Sequence, residues 1–276
     1  MACGSEKISK SPAILMPFIA DRVFDWGPVE VSKEWGLESI KSGIAHCRVN
    51  SIGCGDCSTI FLDLRFGKEQ VARLYKDYRG DEYNNKRIMY EPGYKQKLNI
   101  FETQYPYLAE AESWIQQYIS PKNVLDWGGD NGFNSLFKDS GCELFIYEIS
   151  GVLLEDGINS FSKDRSDITF DLITCNQVLE HVPDPQEVLT EITALMKPGT
   201  WLYFDLPFEK IMQEQLPIAE RLKLKRHWHE HINFFTLEGI KKLVNRSRLD
   251  AVDLRVASAI NEPGKELIFQ VICRKR

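Results

Sequence analysis

The stretch Val124-Leu125-Asp126-Trp127-Gly128-Gly129-Asp130-Asn131-Gly132 constrains the fold more than any other. A short apolar run delivers the chain into three glycines, where the backbone turns tightly and approaches a ligand without an intervening Cβ. In open α/β sheets such a turn lies at the carboxyl end of a strand, where the strand order switches. The flanking sequence keeps the alternation going. Leu108, Ala111, Ile115 and Ile119 recur at helical spacing until Ser120-Pro121 stops the run. Residues 123–126, 143–148 and 171–178 predict strands, 134–138 the start of a helix, and 151–170 a compressed crossover with a third strand. Asp184-Pro185-Gln186-Glu187 reads as a helix entry, with Asp as N-cap and Pro at the first helical position, before an apolar stripe of Val188, Leu189, Ile192, Leu195 and Met196. Pro198-Gly199 ends that helix, 200–206 is a strand, and Thr236 caps a helix with Leu237, Ile240, Leu243 and Val244 facing inward. Residues 251–256 and 266–273 predict antiparallel neighbours joined by a turn at Asn261-Glu262-Pro263-Gly264. The fold class is therefore α/β, a mostly parallel twisted sheet with a terminal antiparallel strand and helices on both faces. The first 100 residues mix Gly, Pro, Cys and aromatics without a sustained helical period, and read as a small module (1–100) preceding the α/β domain (101–276).

Charge narrows what the glycine turn holds. A dinucleotide site wants G-x-G-x-x-G, but the chain has Asp130 and Phe133 where the second and third glycines belong. A carboxylate about 4 Å from a pyrophosphate charge costs roughly 4 kcal/mol at an effective dielectric near 20. A cofactor carrying a sulfonium and an ammonium suits the same acids, which favours S-adenosylmethionine. The whole chain carries net −6 with no long basic run, which argues against a nucleic-acid partner and for a small-molecule one. No apolar run reaches the ~20 residues of a membrane-spanning helix. Residues 13–20 are interrupted by Pro17 and lack a cleavage site, so a cytoplasmic protein without a membrane partner is expected.

Three segments carry a resemblance. The strand ending in Asp126 and running into Gly128-Gly129-Asp130-Asn131-Gly132 resembles motif I of class I S-adenosylmethionine-dependent methyltransferases, with Asp130 in place of the middle glycine. Phe170-Asp171-Leu172-Ile173-Thr174-Cys175-Asn176-Gln177-Val178-Leu179-Glu180-His181-Val182 resembles the fourth-strand motif, and Leu195-Met196-Lys197-Pro198-Gly199-Thr200 the turn before the fifth strand. The resemblance implies a Rossmann-like methyltransferase fold. It also implies that Asp126 with Gly128, Gly129, Asp130 and Gly132 holds the methionine end of the cofactor and that Glu148 accepts from the ribose hydroxyls. Asn176 and His181 complete the expected cofactor-binding set. A Rossmann-like domain without methyl transfer is the competing reading, since one fold hosts many functions.

The seven cysteines are too scattered for a secreted disulfide framework, yet Cys3, Cys47, Cys54 and Cys57 all lie in the first 57 residues. Cys54-Gly55-Asp56-Cys57 is a C-x-x-C knuckle and Cys3 looks like half of another. Two readings stand: structural zinc, with Cys47, His46 or a residue preceding Met1 as fourth ligand, or free thiols in a reducing compartment. The region resembles the N-terminal zinc-binding module of a sugar C-methyltransferase family, as does Leu74-Tyr75-Lys76-Asp77-Tyr78-Arg79-Gly80-Asp81-Glu82-Tyr83. That likeness implies that Tyr75, Tyr78, Arg79 and Tyr83 cover a sugar-type substrate. An aromatic cluster that fastens the module is the alternative.

His227-Trp228-His229-Glu230-His231-Ile232-Asn233-Phe234-Phe235 resembles a Y-H-E-H segment of the same family, with Trp228 for Tyr. The match makes Glu230 and His231 the candidate acid–base pair, because attack on an S-methyl group needs a nucleophile that is losing a proton. On an extended strand His227, His229 and His231 share a face, which leaves a metal site open, as well as a purely structural loop. The sugar C-methyltransferases carry a further C-terminal domain, whereas this chain is expected to end with its last strand. The acceptor therefore stays open between a sugar or nucleotide-sugar and another small metabolite methylated on oxygen or nitrogen, and a non-catalytic cofactor-binding protein is the rival of another class.

Overall fold

The computed structural model describes residues 2–100, 103–164, 168–260 and 266–276. The chain opens with β1 (Ile8–Leu15), α1 (Pro17–Phe24), β2 (Val29–Val31), β3 (Gly43–Ala45), β4 (Arg48–Cys54), β5 (Ile60–Leu62), α2 (Lys68–Tyr75) and α3 (Asp81–Tyr90). It continues through α4 (Leu108–Ile115), β6 (Asn123–Trp127), β7 (Glu143–Tyr147), β8 (Asn159–Ser160), β9 (Leu172–Asn176), α5 (Pro185–Leu195) and β10 (Trp201–Pro207). It closes with α6 (Lys210–Gln213), α7 (Ile218–Leu224), β11 (His227–Trp228), β12 (Asn233–Phe234), α8 (Leu237–Arg246), β13 (Leu249–Ser258) and β14 (Leu267–Lys275).

The larger sheet has the order β13-β14-β10-β9-β6-β7-β8. Strands β10, β9, β6, β7 and β8 pair in parallel, while β14 runs antiparallel to β10 and β13 antiparallel to β14. The terminal antiparallel pair is as the sequence predicts; its connecting turn at 261–264 lies outside the described residues. Order reverses at β6, which has β7 on one side and β9 on the other, so the glycine turn opens at the switch point. Successive β6 residues face opposite layers, as the period of 2 demands: Leu125 packs with Leu189, Ile192, Ile240 and Leu243 of α5 and α8, and Val124 with Leu108, Ala111 and Trp114 of α4. Asp184 caps α5 by accepting from the Gln186 N–H at 3.0 Å, and Thr236 caps α8 by accepting from the Gly239 N–H at 3.0 Å.

Three sequence expectations need correction. The first 100 residues are not irregular: they form α1, α2, α3 and three strands of a second sheet, ordered β11-β1-β4-β5-β12. Helical periodicity is absent from the sequence there because α2 buries only Leu74 and α3 only Tyr83. The segment 134–138 is no helix; Phe137 takes a left-handed φ of 64°, which breaks a helical turn while Leu136 and Phe137 stay buried. The 227–235 segment is not a free loop, since β11 lies parallel to β1 and β12 antiparallel to β5. Among the described residues no helix is long and apolar enough to cross a membrane.

Candidate active site

β6 ends in Asp126, which is 2% exposed. Its Oδ2 accepts from Ser135 Oγ at 2.5 Å and its Oδ1 from Thr174 Oγ1 at 2.8 Å. Burial pushes its carboxyl up to about 6 against the pull of these two hydroxyls. Gly132 sits at φ 92°, and a Cβ there would overlap Ile158 Cδ1 and lie 2.9 Å from Ile146 Cδ1. Asp130 occupies the left-handed region at φ 53°, a conformation Asp tolerates better than most residues. Its carboxylate lies 3.9 Å from Arg79 Nη1, across from the N-terminal part of the chain, and burial raises its pKa while Arg79 lowers it. Glu148 follows β7 and accepts from the backbone N–H groups of Asp130 (3.2 Å), Ile149 (2.8 Å) and Ser150 (2.7 Å). It braces the turn and is not among the cleft-lining residues.

The turn forms one wall of a cleft of about 1450 Å³. Gly128, Gly129, Asp130, Asn176, Glu180 and His181 line it from the large sheet, Tyr78 and Arg79 from the N-terminal part, and Glu230 and His231 from the segment between them. Tyr75 and Tyr83 stand behind this wall: Tyr78 meets Tyr75 edge-on at 5.4 Å and Tyr83 at 5.2 Å between ring centroids. Both amide atoms of Asn176 and the hydroxyl of Tyr75 are buried without a hydrogen-bond partner.

Glu230 and His231 do not pair with each other. The Glu230 carboxylate accepts from Tyr83 Oη and, at 2.9 Å, from Arg87 Nη1. Tyr83 is thus fully buried and spends its hydroxyl on Glu230, not on the cleft. His231 finds a different acid: its Nδ1 is 2.6 Å from Glu209 Oε1 in the loop after β10. Burial opposes a charged ring there, but the Glu209 hydrogen bond and the nearby Glu180 leave the His231 pKa raised. His181 stands edge-on to His231 at 4.6 Å between centroids, and its Nδ1 faces the Glu230 carbonyl at 3.2 Å. Burial holds its pKa well below the ordinary histidine value.

The sequence reading missed two residues. Glu209 carries no motif and sits in a segment with no periodicity, so only the fold could bring it in. Glu180 stood inside the fourth-strand motif; an acid next to His181 in an otherwise apolar stretch was the available signal. The proposed alignment of His227, His229 and His231 on one metal does not occur, because His229 Nε2 pairs with Glu91 Oε1 at 2.6 Å and β11 ends at Trp228.

The cysteine set is also revised. Cys3, Cys54 and Cys57 bring their thiols within 4.8 Å of one another. Cys47 does not join them: it precedes β4 while Cys54 ends it, and seven strand residues span roughly 20 Å. It packs instead against the core of the smaller sheet, and His46 lies at that same far end. Burial raises the pKa of Cys54, but the backbone N–H groups of Asp56 and Cys57 and the thiols of Cys3 and Cys57 outweigh it and favour the thiolate.

A mostly parallel sheet with a glycine turn at its switch point, opening on a cleft that pairs acids with a histidine, defines an α/β cofactor-binding domain. Residues 103–254, over half the chain, match the methyltransferase domain family, and the chain belongs to that family. It is 32% identical over 96 residues to a ubiquinone biosynthesis O-methyltransferase of Paracidovorax citrulli, covering 33% of this chain and 40% of that protein. The protein of the same name from Paraburkholderia phymatum is 48% identical over 110 residues, covering 33% and 47%. The chain thus spans less than half the length of these curated relatives. Among solved structures, the glycopeptide N-methyltransferase MtfA aligns with a TM-score of 0.45 at 11% identity over 62% of this chain and 91% of that one. A methyltransferase from Methanosarcina mazei aligns with a TM-score of 0.41 at 19% identity over 59% and 96%.

Proposed function

We propose that the protein transfers a methyl group from S-adenosylmethionine to a small-molecule acceptor of the sugar or nucleotide-sugar type. One observation carries this reading: an acid-bearing glycine turn at the switch point opens into the same cleft as a His231–Glu209 pair. The residues fit the cofactor, because Asp130 and the unpartnered amide of Asn176 face a cleft whose acids suit a cation. The bound cofactor supplies an electrophilic methyl group on sulfur. Asp126 stiffens the turn through Ser135 and Thr174, and Glu148 braces it from behind. His231 takes the proton of the acceptor on its free ring nitrogen, with Nδ1 and the ring plane fixed by Glu209. Glu230, expected in the acid–base pair, instead clamps the N-terminal helices to the histidine segment through Tyr83 and Arg87. In this reading residues 1–100 serve as the substrate-covering module, with Tyr78 and Arg79 presented to the acceptor.

Calorimetry tests the donor: S-adenosylmethionine and its demethylated product are expected to release heat, and NAD none. Transfer of labelled methyl into a panel of sugar nucleotides then identifies the acceptor, and carbon NMR of the product distinguishes C- from O- or N-methylation. Binding of NAD without binding of the sulfonium donor would refute the proposal.

We further propose that Cys3, Cys54 and Cys57 hold a structural zinc ion together with a fourth ligand. Cys54→Ser is expected to reduce bound zinc to near zero and to lower the melting temperature by roughly 5–10 °C. Metal analysis and a thermal melt check this; wild-type protein purified without zinc and melting unchanged after chelation would argue for free thiols.

A further inference from the structure

Glu180 is the unexplained charge of the cleft. It is 1% exposed, and neither carboxylate oxygen has a hydrogen-bond partner. Buried carboxylates without partners are costly and call for a reason. Its Oε1 lies 3.7 Å from His181 Nε2, and Glu180, His181 and His231 bring one ionisable atom each within 4.8 Å of one another. Both imidazoles already use Nδ1 elsewhere, on the Glu230 carbonyl and on Glu209.

Resting on the methyl-transfer reading above, we propose that Glu180 is a positioning residue for the proton, the counter-ion that stabilises His231 as it becomes an imidazolium. In the transfer, the acceptor X–H bond breaks as X–CH3 forms. The electron pair of the S–CH3 bond stays on sulfur, which becomes a neutral thioether, and the proton moves to His231. One positive charge vanishes from the cofactor while another appears on the imidazole. Glu180, buried beside the ring, joins Glu209 in stabilising that second charge. The charged and titratable groups facing His231 are few. Glu209 comes from the loop after β10 and Glu180 with His181 from the loop after β9. Glu230 lies on its own segment, and Arg79 reaches toward His181 from the N-terminal part. Burial, with Asp205 and Glu209 nearby, raises the Glu180 carboxyl, whereas a charged His231 lowers it, so Glu180 carries its charge when the ring is protonated and the two groups titrate together.

The test is an NMR titration of histidine-labelled protein without cofactor, with His231 assigned from His231→Ala. In Glu180→Gln the His231 pKa is expected to fall by about one unit. Neutral His231 is the active form, so activity is lost as pH falls through its pKa. The acid limb of the kcat profile is therefore expected to move to lower pH by the same amount, with donor affinity unchanged. Glu180→Asp, which keeps the charge, is expected to retain the wild-type limb and serves if the glutamine variant folds poorly. An unmoved His231 pKa overturns the proposal. So does a loss of donor affinity without a pKa shift, or loss of turnover on chelation that a divalent cation restores, which would make these three residues ligands. If the wild type fails to bind the donor while the pKa shift is still seen, the methyl-transfer reading fails and the electrostatic coupling stands.

Discussion

Replacing His231 with alanine is expected to reduce kcat by about 10²–10⁴-fold, the usual worth of a positioned general base. The expectation follows from geometry. His231 is the imidazole in the cleft whose Nδ1 is fixed by a carboxylate, Glu209 at 2.6 Å, which leaves the other nitrogen for the acceptor. His181 lies beside it but is held neutral by burial and is a poor proton acceptor. The glycine turn makes no hydrogen bond to His231, so donor affinity measured by calorimetry is expected to stay within a few-fold of wild type. Glu209→Gln is expected to give a smaller loss, because the ring keeps its place but loses its charged partner. Glu230→Ala is expected to act differently, by leaving Arg87 and Tyr83 without their shared carboxylate and so lowering stability. Stopped-time assays with labelled donor read the first two and a thermal melt the third; a His231→Ala enzyme that turns over like the wild type would place the proton acceptor elsewhere.

Gly132→Ala is expected to be the most damaging change in the turn. A Cβ at φ 92° costs about 1–2 kcal/mol of backbone strain. Overlap with Ile158 and Ile146 adds about 1–3 kcal/mol of overpacking. The protein is expected to lose roughly 2–5 kcal/mol in denaturant unfolding and to bind the donor far more weakly, because the turn must shift to relieve the contact. Asp130 shows that the neighbouring left-handed position accepts a side chain, so the penalty at Gly132 comes as much from its two isoleucine neighbours as from φ. Wild-type unfolding and wild-type donor affinity in the same variant would show that the turn adapts freely.

How much of this was legible in the sequence depended on how much each segment buries. β6, β9, α5, β10 and α8 were readable because each carries a continuous apolar run or a capped stripe facing the large sheet's core. Helices α2 and α3 were not, since one buried side chain apiece leaves no period to detect. β11 and β12 are two residues long and exist only because β1 and β5 offer free edges, a tertiary circumstance no local pattern records. In the candidate site, the glycine turn was legible from its spacing, and the topology puts it at the switch point beside the cleft. The partner of His231 was not, because Glu209 arrives from a segment 22 positions away in sequence. Cys47 shows the opposite failure. Proximity in sequence suggested a ligand, and an intervening extended strand carried it out of reach.

The smaller sheet takes its two outermost strands from residues 227–228 and 233–234, on either side of Glu230 and His231. His231, the proposed proton acceptor, is therefore mounted on scaffolding that the amino-terminal third supplies. A fragment beginning near residue 101 is expected to retain the seven-stranded core yet be catalytically silent, with its histidine segment unsupported. On the proposed reading, exchanging the front of this chain would replace the surface that meets the acceptor together with the strands that hold its base.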